Sequence, residues 1–169
     1  MQIVVPGTAT EFDLLFRAAY SNPQPTYFRL SERSHGEAIG VEFGRATIVR
    51  RGVRGTVVAV GPVLWSVLEA TAGLDVSVLY YTTICPFDAG TLRENCALGA
   101  IVVVEPFYEG TLAQDVMSSV KARAIQLLSI GVPRRFLTSY GDAADHDEQC
   151  GLRAPQLRTR LEEFFHDKG

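Results

Sequence analysis

Apolar and polar positions alternate along this chain with two periods, and the period switches repeatedly. "QIVVP", Gln2 to Pro6, is a short β-branched run stopped by Pro6-Gly7, as a buried strand would be. "TATE", Thr8 to Glu11, has the spacing of a capping box: Thr at the cap with Glu three residues on. Phe12, Leu15, Phe16 and Ala19 then recur at i, i+3, i+4 and i+7, the stripe of an amphipathic helix. "NPQP" breaks it, and "TYFRL" reads as a second strand. A strand-helix-strand unit of this size cannot bury both faces of its own sheet.

The polar stretch "SERSHGEAIG" reads as a linker, and "VEFGRATIVRRGVRGTVVAV" as strand, Gly-containing turn and strand. From there the rhythm is regular. Strands are expected in "GTVVAVG", "DVSVLYY", "GAIVVVEP" and "IQLLSIG". Helices are expected in "PVLWSVLEATAG", "DAGTLRENCA", "TLAQDVMSSVKARA" and "APQLRTRLEEFF". The third carries Leu112, Val116, Val120 and Ala124 on one face, and the last points Leu157, Leu161, Phe164 and Phe165 inward. Strands alternating with helices predict an α/β fold, a three-layer sandwich around a mostly parallel sheet. The chain divides unevenly: residues 1–33 as the end of one α/β unit, 34–55 as a linker with a lead-in hairpin, and 40–169 as a complete second unit.

Composition narrows the function class. With 47% hydrophobic and 21% charged residues among 169, the chain can build one full-sized core. The net charge of −3 does not draw a polyphosphate backbone, and "RRGVR", Arg50 to Arg54, is the densest basic cluster and reads as a solvated hairpin, so no nucleic-acid partner is expected. No run approaches the ~20 apolar residues of a membrane span, and "MQIVVPGTATEF" lacks the flanks of a leader. Cys85, Cys96 and Cys150 are odd in number without C-x-x-C spacing, which fits reduced thiols and a cytoplasmic protein.

Candidate chemistry is sparse. "DHDEQC", Asp145 to Cys150, concentrates metal-ligating types, but successive residues rarely face one ion, and a polar helix or turn is the plainer reading. His35, His146 and His166 are not paired at helical spacing. Cys85, before Pro86 at a strand end, is a nucleophile by position or a structural thiol. Gly61 opens a strand-to-helix turn of the kind that cradles phosphate, without the glycine pattern that usually does so. Glu105 and Glu109 form an acid-base pair or a cap and a solvent-facing residue. Arg29 and Arg33 fall on one side of an extended chain, where two guanidinia can hold a phosphate or carboxylate, or form a surface pair with Glu32.

Six segments in register resemble the C-terminal part of the transketolase family, with its relatives the 1-deoxyxylulose-phosphate synthases and the β-subunits of 2-oxo acid dehydrogenases. "IVVPGTATEFDLLFRAAYSNPQPTYFRLSE" is similar to the last strand-helix-strand of the family's pyrimidine-binding domain. "TVVAVGPVLWSVLEA", "DVSVLYYTTICPFDAGTLRE", "AIVVVEPFYEGTLAQDV", "LSIGVPRRF" and "CGLRAPQLRTRLEEFF" resemble successive segments of its C-terminal domain. The resemblance implies a transketolase C-terminal-domain-like fold in 40–169. It implies a C-terminal part or subunit of a thiamine diphosphate-dependent enzyme that supports assembly and is not catalytic alone. The family's diphosphate-binding motif and its thiamine-activating Glu have no counterpart here. Thiamine diphosphate and Mg are then expected in an assembled enzyme and not on this chain, with a partner chain carrying the diphosphate- and pyrimidine-binding domains, in a homo- or hetero-oligomer. Arg29 and Arg33 would be the substrate-binding residues, near where relatives place a phosphate-contacting Arg; Glu32 stands at that position itself. Departures at Glu32, Cys85 and Gly110 leave the substrate class open. The other readings are a stand-alone binding or regulatory module on this fold, a fragment of a dehydrogenase β-subunit, and a small enzyme using Cys85.

Overall fold

The computed structural model describes residues 1–34, 36–96, 98–121, 123–138 and 140–166. His35 lies outside them. The chain forms β1 (Gln2–Val4), α1 (Ala9–Tyr20) and β2 (Thr26–Phe28), then β3 (Thr47–Arg50) and β4 (Thr56–Val60). A single 3-10 turn (Gly61–Val63) leads into α2 (Leu64–Ala70). There follow β5 (Ser77–Tyr81), β6 (Thr83–Cys85), α3 (Ala89–Asn95), β7 (Ala100–Tyr108), α4 (Ala113–Ser119), β8 (Gln126–Val132), α5 (Ala143–Cys150) and α6 (Ala154–His166).

Five strands form the main sheet in the order β3-β5-β4-β7-β8. All its pairings are parallel except that of β3 with β5. The period-two alternation sorts its side chains between two cores. Val57, Ala59, Val78, Tyr80, Val102 and Val104 face Leu64, Val67, Leu157 and Leu161 of α2 and α6. Val58, Val60, Leu79, Tyr81, Ile101 and Val103 face Leu92 and Val116 of α3 and α4. Helices therefore cover both faces, as a sheet whose central strands are apolar throughout requires.

The expected hairpin over 34–55 does not form, because β5 lies between β3 and β4. All five residues of β4 are buried, while those of β3 are half-buried. A fully apolar strand gains most from a central place between two parallel neighbours, and the more polar strand is left at the edge. The crossing at Gly52 passes so close to Val76 that a Cβ would lie 2.4 Å from its amide nitrogen, so the turn admits no side chain there. α4 is also half its expected length: Ser119 Oγ donates to the Asp115 carbonyl at 2.7 Å, the helix stops, and Ala124 lies outside it and exposed.

A second sheet, β2-β1-β6, holds the N-terminal unit against the main body. β1 and β2 are parallel, joined by α1. β6 is an antiparallel partner of β1, and the Val5 amide donates to the Thr82 carbonyl at 2.7 Å. The chain thus runs from β5 in one sheet into β6 in the other with only Thr82 between them. Glu11 bonds the same seam. It has no exposed surface, and its carboxylate accepts from the Gly7 amide (2.8 Å), the Ile39 amide (3.1 Å) and the Tyr80 hydroxyl (2.7 Å). Thr8 caps α1 as expected, accepting from the Glu11 amide at 3.1 Å, but the Glu11 side chain reaches inward and does not close the box.

Candidate functional site

A cleft of about 290 Å³ opens where the two sheets meet. Its floor is set by strand ends: Val5 after β1, Pro62 after β4, Pro106 within β7 and Val132 at the end of β8. β4 has its successor strand β5 on one side and β7 on the other, so the order of connection reverses beside it. A crevice beyond the carboxyl ends of parallel strands at such a reversal is where open α/β sheets bind ligands. The Gly61 turn sits here, but not as a phosphate cradle. With φ +54 it lets the chain pass Val5, whose carbonyl oxygen lies 2.7 Å from where a Cβ would stand. The Cα side of the turn is filled by protein.

One wall is the segment after β2, and it brings both predicted arginines to the cleft. The strand ends at Phe28, two residues earlier than expected, and the chain then turns, with the Arg33 amide donating to Ser31 Oγ at 3.1 Å. Arg29 to Arg33 consequently all line the cleft, rather than only alternate members. The two guanidinia are in different states. Arg29 is exposed, lies over the Phe107 ring at 5.5 Å, and makes no ion pair among the described residues. Arg33 is partly buried and pairs with Asp147. Glu32, also at the cleft, is exposed.

The facing wall is α5, which contains the acidic stretch "DHDEQC". Asp142 caps it and forms a capping box with Asp145, and Gly151 ends it in a left-handed conformation, so its form comes from its own sequence. His146, Asp147 and Cys150 line the cleft. Burial raises the Asp147 carboxyl above its usual range, against the opposing effect of Arg33. Burial, reinforced by Asp147, also raises the Cys150 thiol, which is therefore a poor nucleophile. His146 Nδ1 is buried without a hydrogen-bond partner among the described residues. Sequence reasoning named these residue types but gave them no place at the arginines. The signal was present in the Asp142–Asp145 spacing, which starts a helix and turns Asp147 to one face.

Glu105 and Cys85 do not line the cleft. Glu105 has no exposed surface, and its carboxylate accepts from the Gly110 amide (2.6 Å) and the Leu112 amide (3.2 Å), holding the start of α4. Burial pushes it up to about 7, although the loop amides pull the other way. Cys85 is exposed at the end of β6, and its thiol donates to the Met1 carbonyl at 3.3 Å. Among the described residues no three His, Cys, Asp or Glu side chains gather as a metal site, and no helix is long and apolar enough to cross a membrane.

The cleft and its sheet order can be set beside known proteins. No family model matches the chain. Over 170 residues it is 38% identical to a 33.6 kDa protein in the fasciation locus of Rhodococcoides fascians, covering 95% of this chain and 53% of that protein. Over 184 residues it is 26% identical to the 1-deoxy-D-xylulose-5-phosphate synthase of Magnetococcus marinus, covering 98% and 29% respectively. A solved structure described as a split gene transketolase, an inactive β4 tetramer, superposes with a TM-score of 0.86 at 25% identity over all of this chain and 59% of that one. Over 183 residues this chain is also 26% identical to a transketolase family protein of Sinorhizobium fredii, covering 99% of this chain and 53% of that protein. The transketolase C-terminal domain supplies the fold, a mixed α/β structure with a mostly parallel sheet. The chain spans about half the length, or less, of the curated relatives it matches.

Proposed function

We propose that this chain is the C-terminal part of a thiamine diphosphate-dependent transketolase-like enzyme, completed by a partner that carries the diphosphate- and pyrimidine-binding domains. Residues 1–33 are then the end of a pyrimidine-binding domain and 40–169 the C-terminal domain. The observation that carries this reading is the open side of the small sheet. β2 is an edge strand in a parallel pair, and parallel sheets are stable when flanked. Beside it Phe12, Phe16, Tyr20 and Phe28 form one chain of ring contacts with centroids 5.4–6.0 Å apart. Phe16 is 43% exposed and Tyr20 82% exposed, an apolar edge suited to a further strand and helix. The likeness to a split gene transketolase supports a partner on a separate chain.

The described residues gather no donor set for a metal-held diphosphate, so no step through thiamine diphosphate is assigned to this chain. Its role is to position the neighbouring domains and to present Arg29 and Arg33 to an anionic group of the substrate. The test is reconstitution. The purified chain, given thiamine diphosphate and Mg²⁺, is expected to show no ketol transfer; mixing it with a chain bearing the other two domains is expected to restore it. On complex formation the Phe28 amide, which strand alternation turns to the open edge, should become protected from exchange. Turnover by the chain alone would overturn this reading, and a complex that leaves Phe28 unprotected would favour a stand-alone binding or regulatory module on this fold.

A further inference from the structure

The cleft contains its own anion. Asp147 on α5 pairs with Arg33, 114 residues earlier, across the space that separates the two walls. Arg29, on the same wall as Arg33, has no such partner among the described residues and rests on Phe107. One guanidinium is thus available and one is held. We propose that α5 is a latch: Asp147 occupies Arg33 as an internal counter-anion, and a phosphate-bearing ligand that enters on Arg29 displaces it. The proposal rests on the reading of Arg29 and Arg33 as the anion-contacting pair, and adds how that pair is regulated.

Three features make the pair openable. First, the ends of α5 do not depend on it, being fixed by the Asp142–Asp145 capping box and the Gly151 terminus. Second, the helix is lightly held: Cys150 is its only buried residue, and Phe136 and Tyr140 in the preceding segment are exposed. Third, Asp147 sits in the cleft against its own desolvation, since burial outweighs Arg33 in setting its protonation. Leaving for water returns part of that cost. A monoanion gains little by competing, because Arg29 alone can take it. A phosphate dianion can bond both guanidinia, and bidentate guanidinium-phosphate pairs are among the stronger charge-assisted contacts. The ligand class is therefore a phosphate ester or inorganic phosphate rather than a simple carboxylate.

The experiment uses the full chain alone, with inorganic phosphate and acetate as probes at matched ionic strength. Asp147→Asn is expected to bind phosphate about tenfold tighter than the unaltered chain, and Arg33→Gln in that background to remove the gain. Glu148→Gln, which changes an exposed carboxylate paired with Arg153, should leave phosphate affinity unchanged. Acetate should bind weakly and respond little to Asp147→Asn. Asp147→Ser serves as a second charge-removing variant, and the unaltered chain supplies a measurement free of substitution: saturating phosphate should speed amide exchange in α5. If Asp147→Asn gives no gain while Arg29→Gln weakens phosphate binding, the latch is wrong and the arginine reading stands. If no form binds phosphate, both fall. Equal response of phosphate and acetate, or α5 exchange unmoved by phosphate, also overturns the latch.

Discussion

Glu105 shows how a buried carboxyl can depend on pH while serving a structural purpose. Its pKa is raised from 4.5 to about 7 by burial, with the amides of Leu112 and Gly110 opposing. A raised folded pKa means the fold favours the protonated form, so this contribution is complete below about pH 4.5 and is lost as pH climbs through 7. The loss is on the order of 3 kcal/mol. Urea unfolding across this window should show stability falling with pH, and Glu105→Gln should flatten that slope whatever its offset; an unchanged slope assigns the titration elsewhere. Glu11 has a different weakness. The Gly7 and Ile39 amides and the Tyr80 hydroxyl, from three segments, converge on it, and removing the acceptor strands them together. Glu11→Ala is expected to cost about 3 kcal/mol or more, and Tyr80→Phe, which removes one donor and leaves the carboxylate the Gly7 and Ile39 amides, nearer 1 kcal/mol. Equal losses in chemical denaturation would deny Glu11 its organising place. From the sequence, Glu11 was legible as a helix-start residue, because that signal is local. Its inward role was not, since Ile39 and Tyr80 arrive from 28 and 69 positions away.

Among elements, α2 depends on its neighbours. It is seven residues long, too short to persist alone, and two arginines bond its last carbonyls. Arg50 on β3 donates to the Thr71 carbonyl and Thr71 Oγ1, both at 2.7 Å; Arg158 on α6 donates to the carbonyls of Ala70 (3.2 Å) and Ala72. Cations at a helix C-terminus also complement its dipole. Arg50→Met and Arg158→Met should each lower stability by about 1 kcal/mol, and the pair should deviate from additivity because both act on one helix end. Strict additivity in a double-mutant cycle would mean the two contacts are independent. The same comparison shows which elements a sequence discloses. Central strands and α6 were legible because their apolar period repeats over several residues. β6 was not: it is three residues long, and its partner β1 lies some eighty positions upstream. The β3–β4 hairpin was misread because a glycine turn between two strands looks the same whether or not a third strand inserts between them. α5 has no apolar stripe, so its capping was the only local sign of a helix.

For the whole molecule, the boundary near residue 34 separates stretches of sequence, but the contacts cross it. β1 pairs with β6, Val5 packs against Gly61, and Glu11 bonds both the linker at Ile39 and the main sheet at Tyr80. The Arg33–Asp147 pair ties the far end of the cleft in the same direction. Half of the candidate site was legible for a related reason: Arg29 and Arg33 belong to one short stretch, whereas Asp147 joins them only through tertiary folding. The seam between the sheets has a practical consequence for handling the protein. Residues 36–38 are exposed and irregular, which makes them a natural target for a protease. A single nick there would sever the chain but not the seam. The two fragments should elute together under native conditions, keep their far-ultraviolet dichroism, and come apart only in urea or detergent. The N-terminal fragment would then behave as a noncovalent subunit of the body it was cut from.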